Sequence, residues 1–329
     1  AHMPLLVSIV VACIIGCICG HSFSDMMAGM LDCLNRTMEA ILILCTVGIL
    51  VASFIMSGTI PALIYYGLDL LTPKLFLPVG CILCAVVGLA CGSSWTTTAT
   101  IGIAFMGIGA GLGMPVALTA GMIISGAYVG DKFSPLSDTT NLAAAVSETG
   151  LFDHVTAMVS TTAPTFVIAL VLYTIIGFGY STTGYDNTVA LELQQALAGG
   201  YNLNPVLLLP IVVVVVVCVL KLPALPGLAI SVGCGVLFGA VFQGITNVSD
   251  IFNILHYGTT FESSNELANN LLSRGGMDHQ MWTINLILLA VAYGGALERC
   301  GCVETLFSGI KSKIHNVGGL VVLTLVTSL

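Results

Sequence analysis

The chain has 329 residues, of which 57% are apolar and 7% are Asp, Glu, Lys or Arg. Soluble domains carry about 25% charged residues, and 8 basic plus 16 acidic side chains cannot cover a water-facing surface of this size. A soluble enzyme, a nucleic-acid binder and a disordered chain are excluded. The net charge of -8 says little about partners, because most acids fall in short connecting segments.

A helix needs about 20 apolar residues to cross the hydrocarbon of a bilayer. In chain order, such runs occur at 4–20, 41–68, 75–91, 115–130, 155–179, 205–220, 223–242 and 282–297, and a ninth begins at Val317. The alternating segments that mark a transmembrane β-barrel do not occur. The sequence therefore predicts an all-α polytopic membrane protein whose main partner is the lipid bilayer, with no nucleic-acid partner. Cys13, Cys17, Cys19, Cys45, Cys81, Cys84, Cys91, Cys218 and Cys234 lie inside apolar runs, where cysteine behaves as a small hydrophobe. Cys81-x-x-Cys84 has redox spacing but lacks a second pair or a nearby His. The first run lacks the basic leader and cleavage site of a secretory signal.

Met3-Pro4-Leu5-Leu6 before one apolar run is echoed by Leu225-Pro226-Gly227-Leu228 before another. Setting Gly58 on Gly301 also pairs Ile60 with Val303, Leu63 with Leu306 and Ile64 with Phe307. Two repeat starts in the same order suggest the duplicated plan of secondary transporters. The expected organisation is a first transmembrane repeat at 1–204 and the start of a second at 205–329. In that plan the full protein carries one more N-terminal helix and a substantial C-terminal continuation.

Gly92-Ser93-Ser94-Trp95-Thr96-Thr97-Thr98-Ala99-Thr100 interrupts the apolar pattern at the end of a span. Ser and Thr side chains compete with helical backbone pairing, and irregular backbone at membrane depth survives only where protein or a wet cavity satisfies it. Gly107-x-Gly109-x-Gly111-x-Gly113 and Pro115 follow. One reading is a polar loop with packed glycines. The other is a re-entrant hairpin at 92–113 whose Ser93, Ser94 and Thr96 line a cavity.

Gly126-x-x-x-Gly130 permits close helix contact and runs into Asp131-Lys132-Phe133-Ser134-Pro135-Leu136-Ser137-Asp138-Thr139-Thr140-Asn141. If helical, Asp131 and Asp138 share a face with Ser134 between them, and Pro135 frees the Asp131 carbonyl. Two carboxylates with Ser134, Ser137, Thr139, Thr140 and Asn141 form the oxygen set a hard cation needs, and a carboxylate also takes protons. An aqueous loop is the alternative, but the chain turns apolar again at 142–146 and reaches Glu148 and Asp153 only afterwards. A buried charge costs roughly 2.5–3.5 kcal/mol at the bilayer centre, which favours a functional segment at 130–141. Asp69 with Lys74 reads as an interfacial pair, and Glu298-Arg299 as a helix-end cluster. The segments 185–201 and 245–276 read as loops or short amphipathic helices.

The run from Gly130 to Leu142 closely resembles the NhaC family of Na+/H+ antiporters, which includes malate/lactate antiporters. Gly92-Ser93-Ser94-Trp95-Thr96, Ser57-Gly58-Thr59-Ile60-Pro61, Met281-Trp282-Thr283-Ile284 and 294–301 are similar to further family segments. The resemblance implies an ion-transporter-superfamily architecture with inverted repeats, re-entrant hairpins and an elevator-like or rocking motion. The resulting expectation is a secondary transporter in a prokaryotic cell membrane, not an enzyme, exchanging Na+ for H+ by alternating access. Asp131 and Asp138 would bind Na+ or H+ in turn. No cofactor is expected beyond the transported ions. A malate/lactate exchanger is the alternative, followed by a passive channel, and small carboxylates and a second copy of the chain are further candidate partners. An intramembrane hydrolase lacks its elbow and its base. Eight Lys and Arg are too scattered to fix sidedness.

Overall fold

The computed structural model describes residues 2–134, 137, 139, 140, 143, 144, 147, 149–181, 187–220, 222–302 and 305, and every regular element among them is helical. The helices are α1 (His2–Ile18), α2 (Phe23–Met56), α3 (Thr59–Leu70), α4 (Pro73–Cys91) and α5 (Ser94–Thr97). A π turn at Thr98–Gly102 carries α5 into α6 (Ile103–Gly111). Then come α7 (Val116–Phe133), α8 (Leu151–Ser181), α9 (Asn187–Gly200), α10 (Leu209–Val219), α11 (Ala224–Phe242), α12 (Val248–Tyr257), α13 (Glu266–Leu272) and α14 (Met281–Arg299). Four of the described helices are long and apolar enough to cross a membrane: Phe23–Met56, Leu151–Tyr180, Leu225–Phe242 and Asp278–Arg299. The chain is an all-α polytopic membrane protein.

Two apolar runs are cut differently from expectation. The run 41–68 is not one span: α2 already starts at Phe23 and ends at Met56, and α3 begins at Thr59. The cause is Gly58, whose φ of 81° lies in the left-handed region; this conformation is open to glycine at little steric cost. The run 205–220 opens with a 3-10 turn at Pro205–Leu208, capped by Asn204 Oδ1 accepting the Val206 N–H at 3.0 Å. With Thr188–Gly200 it forms a helix pair bent by 98°, the geometry of a broken span or a re-entrant loop, so residues 188–200 of the segment read as loop or amphipathic helix supply one arm of that pair. The run from Val317 lies outside the described residues.

Gly301 has the geometry of Gly58, the residue the repeat sets against it. Its φ is 70°. The Gly58 N–H donates to Ile55 O at 3.0 Å and its carbonyl accepts the Ala62 N–H at 2.8 Å. The Gly301 N–H donates to Glu298 O at 3.0 Å and its carbonyl accepts the Thr305 N–H at 2.9 Å. Both glycines end a helix, and the carbonyl of each accepts the N–H four residues on.

By packing, the chain divides into two units, Ala1–Leu44 with Met281–Leu329, and Cys45–Gln280. The repeats expected at 1–204 and 205–329 are defined by sequence pattern, not by contact. In the first unit, Ala12, Met26, Met30 and Ala296 form a buried cluster. The backbones of α2 and α14 meet at Gly29 and Gly295, where a Cβ on Gly295 would lie 2.5 Å from Gly29 O. Arg36 Nη1 and Glu298 Oε1 form an exposed ion pair at 3.8 Å, so the Glu298 expected in a helix-end cluster has a partner on α2.

In the second unit α4 packs side by side with α7 and with α8. Pro78 sits inside α4 and, lacking an N–H, leaves the Lys74 carbonyl without its helical donor. Gly177 of α8 comes up against that carbonyl: a Cβ there would stand 2.6 Å from Lys74 O. Asp69 does not pair with Lys74 as expected but accepts Gln194 Nε2 at 2.8 Å.

Candidate functional site

Helix α4 ends at Gly92, whose φ of 62° turns the chain, and Ser93 follows with extended backbone (φ -150°, ψ 116°). Ser93 Oγ accepts the Thr96 N–H at 3.3 Å and so caps α5. The two residues leave Ser94 as the first residue of a helical run that continues to Gly111. The segment 92–113, expected as a hairpin, is thus one helical run between two turns, at 92–93 and at 112–113.

Ser94 Oγ donates to Asp131 Oδ2 at 3.0 Å. Asp131, in the last turn of α7, is 6% exposed, and Ser94 is 5% exposed. A carboxylate at the start of a helical run also gains from the partial positive charge of the unpaired N–H groups there. The pair is possible because α4 and α7 touch main chain to main chain. A Cβ on Gly88 would lie 2.7 Å from Ala127 O and 3.3 Å from Asp131 N. A Cβ on Gly130 would overlap Ala85 O, and one on Gly126 would overlap Cys81 O. The Gly126-x-x-x-Gly130 spacing is a helix-contact surface, as its small residues indicate.

Beyond Asp131 the structure corrects the sequence reading. Helix α7 does not continue to residue 138; it ends at Phe133, and Ser134 is extended (φ -80°, ψ 123°). The Asp131 carbonyl is not free, because the Ser134 N–H takes it at 3.1 Å. Pro135 directly after Ser134 restricts that residue to extended backbone, which ends the helix there. Asp138 and Asn141, both expected in the site, lie outside the described residues.

Ser134, Ser137 and Thr140 are buried and turn back on one another. The Ser137 N–H donates to Ser134 O at 3.2 Å, and Ser137 Oγ accepts the Thr140 N–H at 3.4 Å. Thr140 Oγ1 donates to Lys132 O at 3.3 Å. Thr139 is exposed, although its hydroxyl lies 2.9 Å from Ser137 Oγ. Lys132 is exposed.

Of the three hairpin residues, Ser94 alone is seen bonded to a carboxylate. Thr96 Oγ1 donates to Ser93 Oγ at 3.2 Å, so these two serve the cap. Thr97 and Thr100, which were not singled out, are buried, and their hydroxyls donate to the Ser93 and Thr96 carbonyls at 2.9 and 2.7 Å. Back-bonding of this kind loosens and bends a helix, and here it accompanies the π turn at Thr98–Gly102. Among the described residues no three His, Cys, Asp or Glu side chains converge as a metal cluster. What the site offers is one buried carboxylate with hydroxyl and carbonyl oxygens, a hard donor set.

A second buried break was missed. Ser53, Ser57 and Thr59 are fully buried around Gly58, and the Ser57 and Thr59 hydroxyls are 2.8 Å apart. Gln243 closes the break: its Nε2 donates to Ser57 O at 3.2 Å and its Oε1 accepts the Asn202 N–H at 3.1 Å. The available signal was Ser-Gly-Thr-x-Pro inside an apolar run too long for one span.

The model of the Na+/H+ antiporter family matches residues 126–329. Across 328 residues the chain is 36% identical to the Na+/H+ antiporter NhaC of Alkalihalophilus pseudofirmus, covering 100% of this chain and 71% of that protein. It is 35% identical to the malate-2H+/Na+-lactate antiporter of Bacillus subtilis, covering 99% of the chain and 70% of that protein. It is 40% identical to the arginine/ornithine antiporter ArcD of Halobacterium salinarum, covering 100% and 68%. No solved structure matches the chain.

Proposed function

Because the chain belongs to the Na+/H+ antiporter family, we propose that it exchanges Na+ for H+ across a prokaryotic cell membrane, with Asp131 as the shared binding group. The observation that carries this reading is the buried carboxylate held by Ser94 at a helix break. A carboxylate buried at membrane depth is costly and marks an ion or proton pathway. With Na+ bound, Asp131 balances the cation and Ser94 adds a neutral oxygen. With a proton bound, the carboxyl is neutral and needs no cation. One group cannot hold both, so alternating exposure of Asp131 to the two sides couples the flows. Asp138 is the second carboxylate of this reading, with Ser134, Ser137 and Thr140 as neutral donors.

A carboxylate exchanger would need a cationic group in the same cavity. Lys132, the one cation next to Asp131 in sequence, is exposed, which supports the cation reading. In vesicles holding the full-length protein, added Na+ should collapse an imposed pH gradient. Asp131→Asn keeps an acceptor for Ser94 but cannot exchange a proton for Na+, and should be inactive while folded. Full exchange by that variant would remove Asp131 from the role. Malate-dependent proton movement by the unaltered protein that Na+ alone does not produce would replace the proposal with the carboxylate reading, an exchanger coupled to both Na+ and H+.

A further inference from the structure

Helix α12 is too short to span. Its ten residues measure about 15 Å, half of a hydrocarbon core about 30 Å thick. It follows α11, one of the spanning helices, after only residues 243–247, and five residues reach no further than about 18 Å. Its N-terminus therefore lies close to the level at which α11 leaves the membrane. The last turns of α11 expose Leu237 and Val241 (65% and 74%), the lipid-facing edge of a span.

Taken at 100° per residue, Ile251, Ile254, Leu255, Val248 and Phe252 form one apolar arc, and Ser249, Asp250 and Asn253 the opposite polar one. The apolar arc is itself divided. Ile251, Ile254 and Leu255 are half-buried against protein. Val248 and Phe252, on its outer edge, are 64% and 67% exposed. The far end is fixed: the Met277 N–H donates to Leu255 O at 3.1 Å, and Gly258 lies so close to the main chain at Gly275 that a Cβ would be 2.5 Å from Gly275 O. The helix thus presents three sides to three environments.

We propose that α12 lies in the plane of the bilayer interface, with Val248 and Phe252 inserted at the boundary of headgroups and acyl chains. Asp250 and Asn253 then face water, and the inner apolar side stays on the protein. Lipid is the occupant because the exposed edge follows directly on the lipid-facing end of α11, to which the Ile245 N–H ties the connection by donating to Gly239 O at 3.2 Å. Two side chains are also far too little surface for a stable protein partner, which needs about 800 Å² from each side. The anchor fixes the depth of the segment that carries Gln243, the residue closing the Ser57 break.

The test uses the full-length protein in lipid vesicles, with every native Trp, Trp95 and Trp282 among them, replaced by Phe and a single Trp introduced at 252 or 253. Phe252→Trp should be quenched by lipids brominated near the headgroup about twofold or more over lipids brominated at the chain ends, as an interfacial depth requires. Asn253→Trp should instead be quenched mainly by aqueous acrylamide. If the Phe252→Trp protein does not fold, Val248→Trp reads the same edge. Acrylamide quenching at 252 equal to that at 253 would put the helix in water. Shielding of 252 from both quenchers would put protein, such as a second copy of the chain, on this edge. Either result overturns the proposal.

Discussion

Ser94 Oγ donates to Asp131 Oδ2 at 3.0 Å, joining residues 37 positions apart across the end of α4. A hydrogen bond to a charged group contributes roughly 1.5–3 kcal/mol. Ser94→Ala should therefore raise the Na+ concentration giving half-maximal exchange by about tenfold or more, with maximal rate less affected. Ser94→Thr, which keeps the hydroxyl, should restore part of the loss. Na+ titration of the pH-gradient collapse measures both, and an unchanged half-saturation for Ser94→Ala would remove Ser94 from the site.

Gly130 and Gly113 separate close approach from backbone strain. A Cβ on Gly130 overlaps Ala85 O and lies 2.6 Å from Leu89 N, both main chain and unable to move aside. Overpacking of this kind costs about 1–3 kcal/mol or more, so Gly130→Ala should lower the thermal midpoint and abolish exchange together. Gly113 has φ 68° but nothing within 4 Å of its added Cβ, and Gly113→Ala should cost about 1 kcal/mol with exchange retained. Thermal unfolding in detergent alongside the flux assay compares them.

Gln243 holds Ser57 O and the Asn202 main chain at once. Gln243→Ala leaves a buried carbonyl unsatisfied at the α2–α3 break, a loss of about 1–3 kcal/mol. Asn202→Ala adds little on top of it, since the side-chain bond it deletes, Asn202 Nδ2 to Phe242 O at 3.4 Å, is long. A double-mutant cycle on thermal stability checks this.

Arg36 and Glu298 are 69% and 58% exposed at 3.8 Å, a geometry in which solvent screens most of the attraction. Arg36→Ala should leave the unfolding midpoint unchanged within error in both low and high salt. A clear loss that persists undiminished in high salt would show that this pair is shielded from solvent in the assembled protein.

Helix positions were legible wherever an apolar run was uniform: 75–91, 115–130, 155–179 and 223–242 became α4, α7, α8 and α11 with shifts of a few residues. The broken run 41–68 was not, because a single left-handed glycine leaves hydropathy untouched. The early start of α2 was hidden by Asp25, Asp32, Arg36 and Glu39, which dilute the apolar signal without interrupting the helix. At the site, the type and burial of Asp131 and the glycine spacing beneath it could be read from sequence. Its partner Ser94 was expected only in the same cavity, since the bond depends on how α4 and α7 pack. The two-turn helical register from 131 onward failed because Pro135 acts on the residue before it as well as on the carbonyl four back. Asp69 found Gln194 rather than Lys74 for a similar reason: its partner comes from 125 positions away.

Gly88, Gly126 and Gly130 leave almost no side-chain layer between α4 and α7. Helices that meet through side chains slide past one another by small rotamer adjustments, but main chain seated on main chain has no such bearing. The two helices behave as one solid block, and the serine and the carboxylate ride on it together. Under the proposed function, access to Asp131 would be governed by what moves around that block, and the geometry of this serine–carboxylate pair would stay constant through a transport cycle.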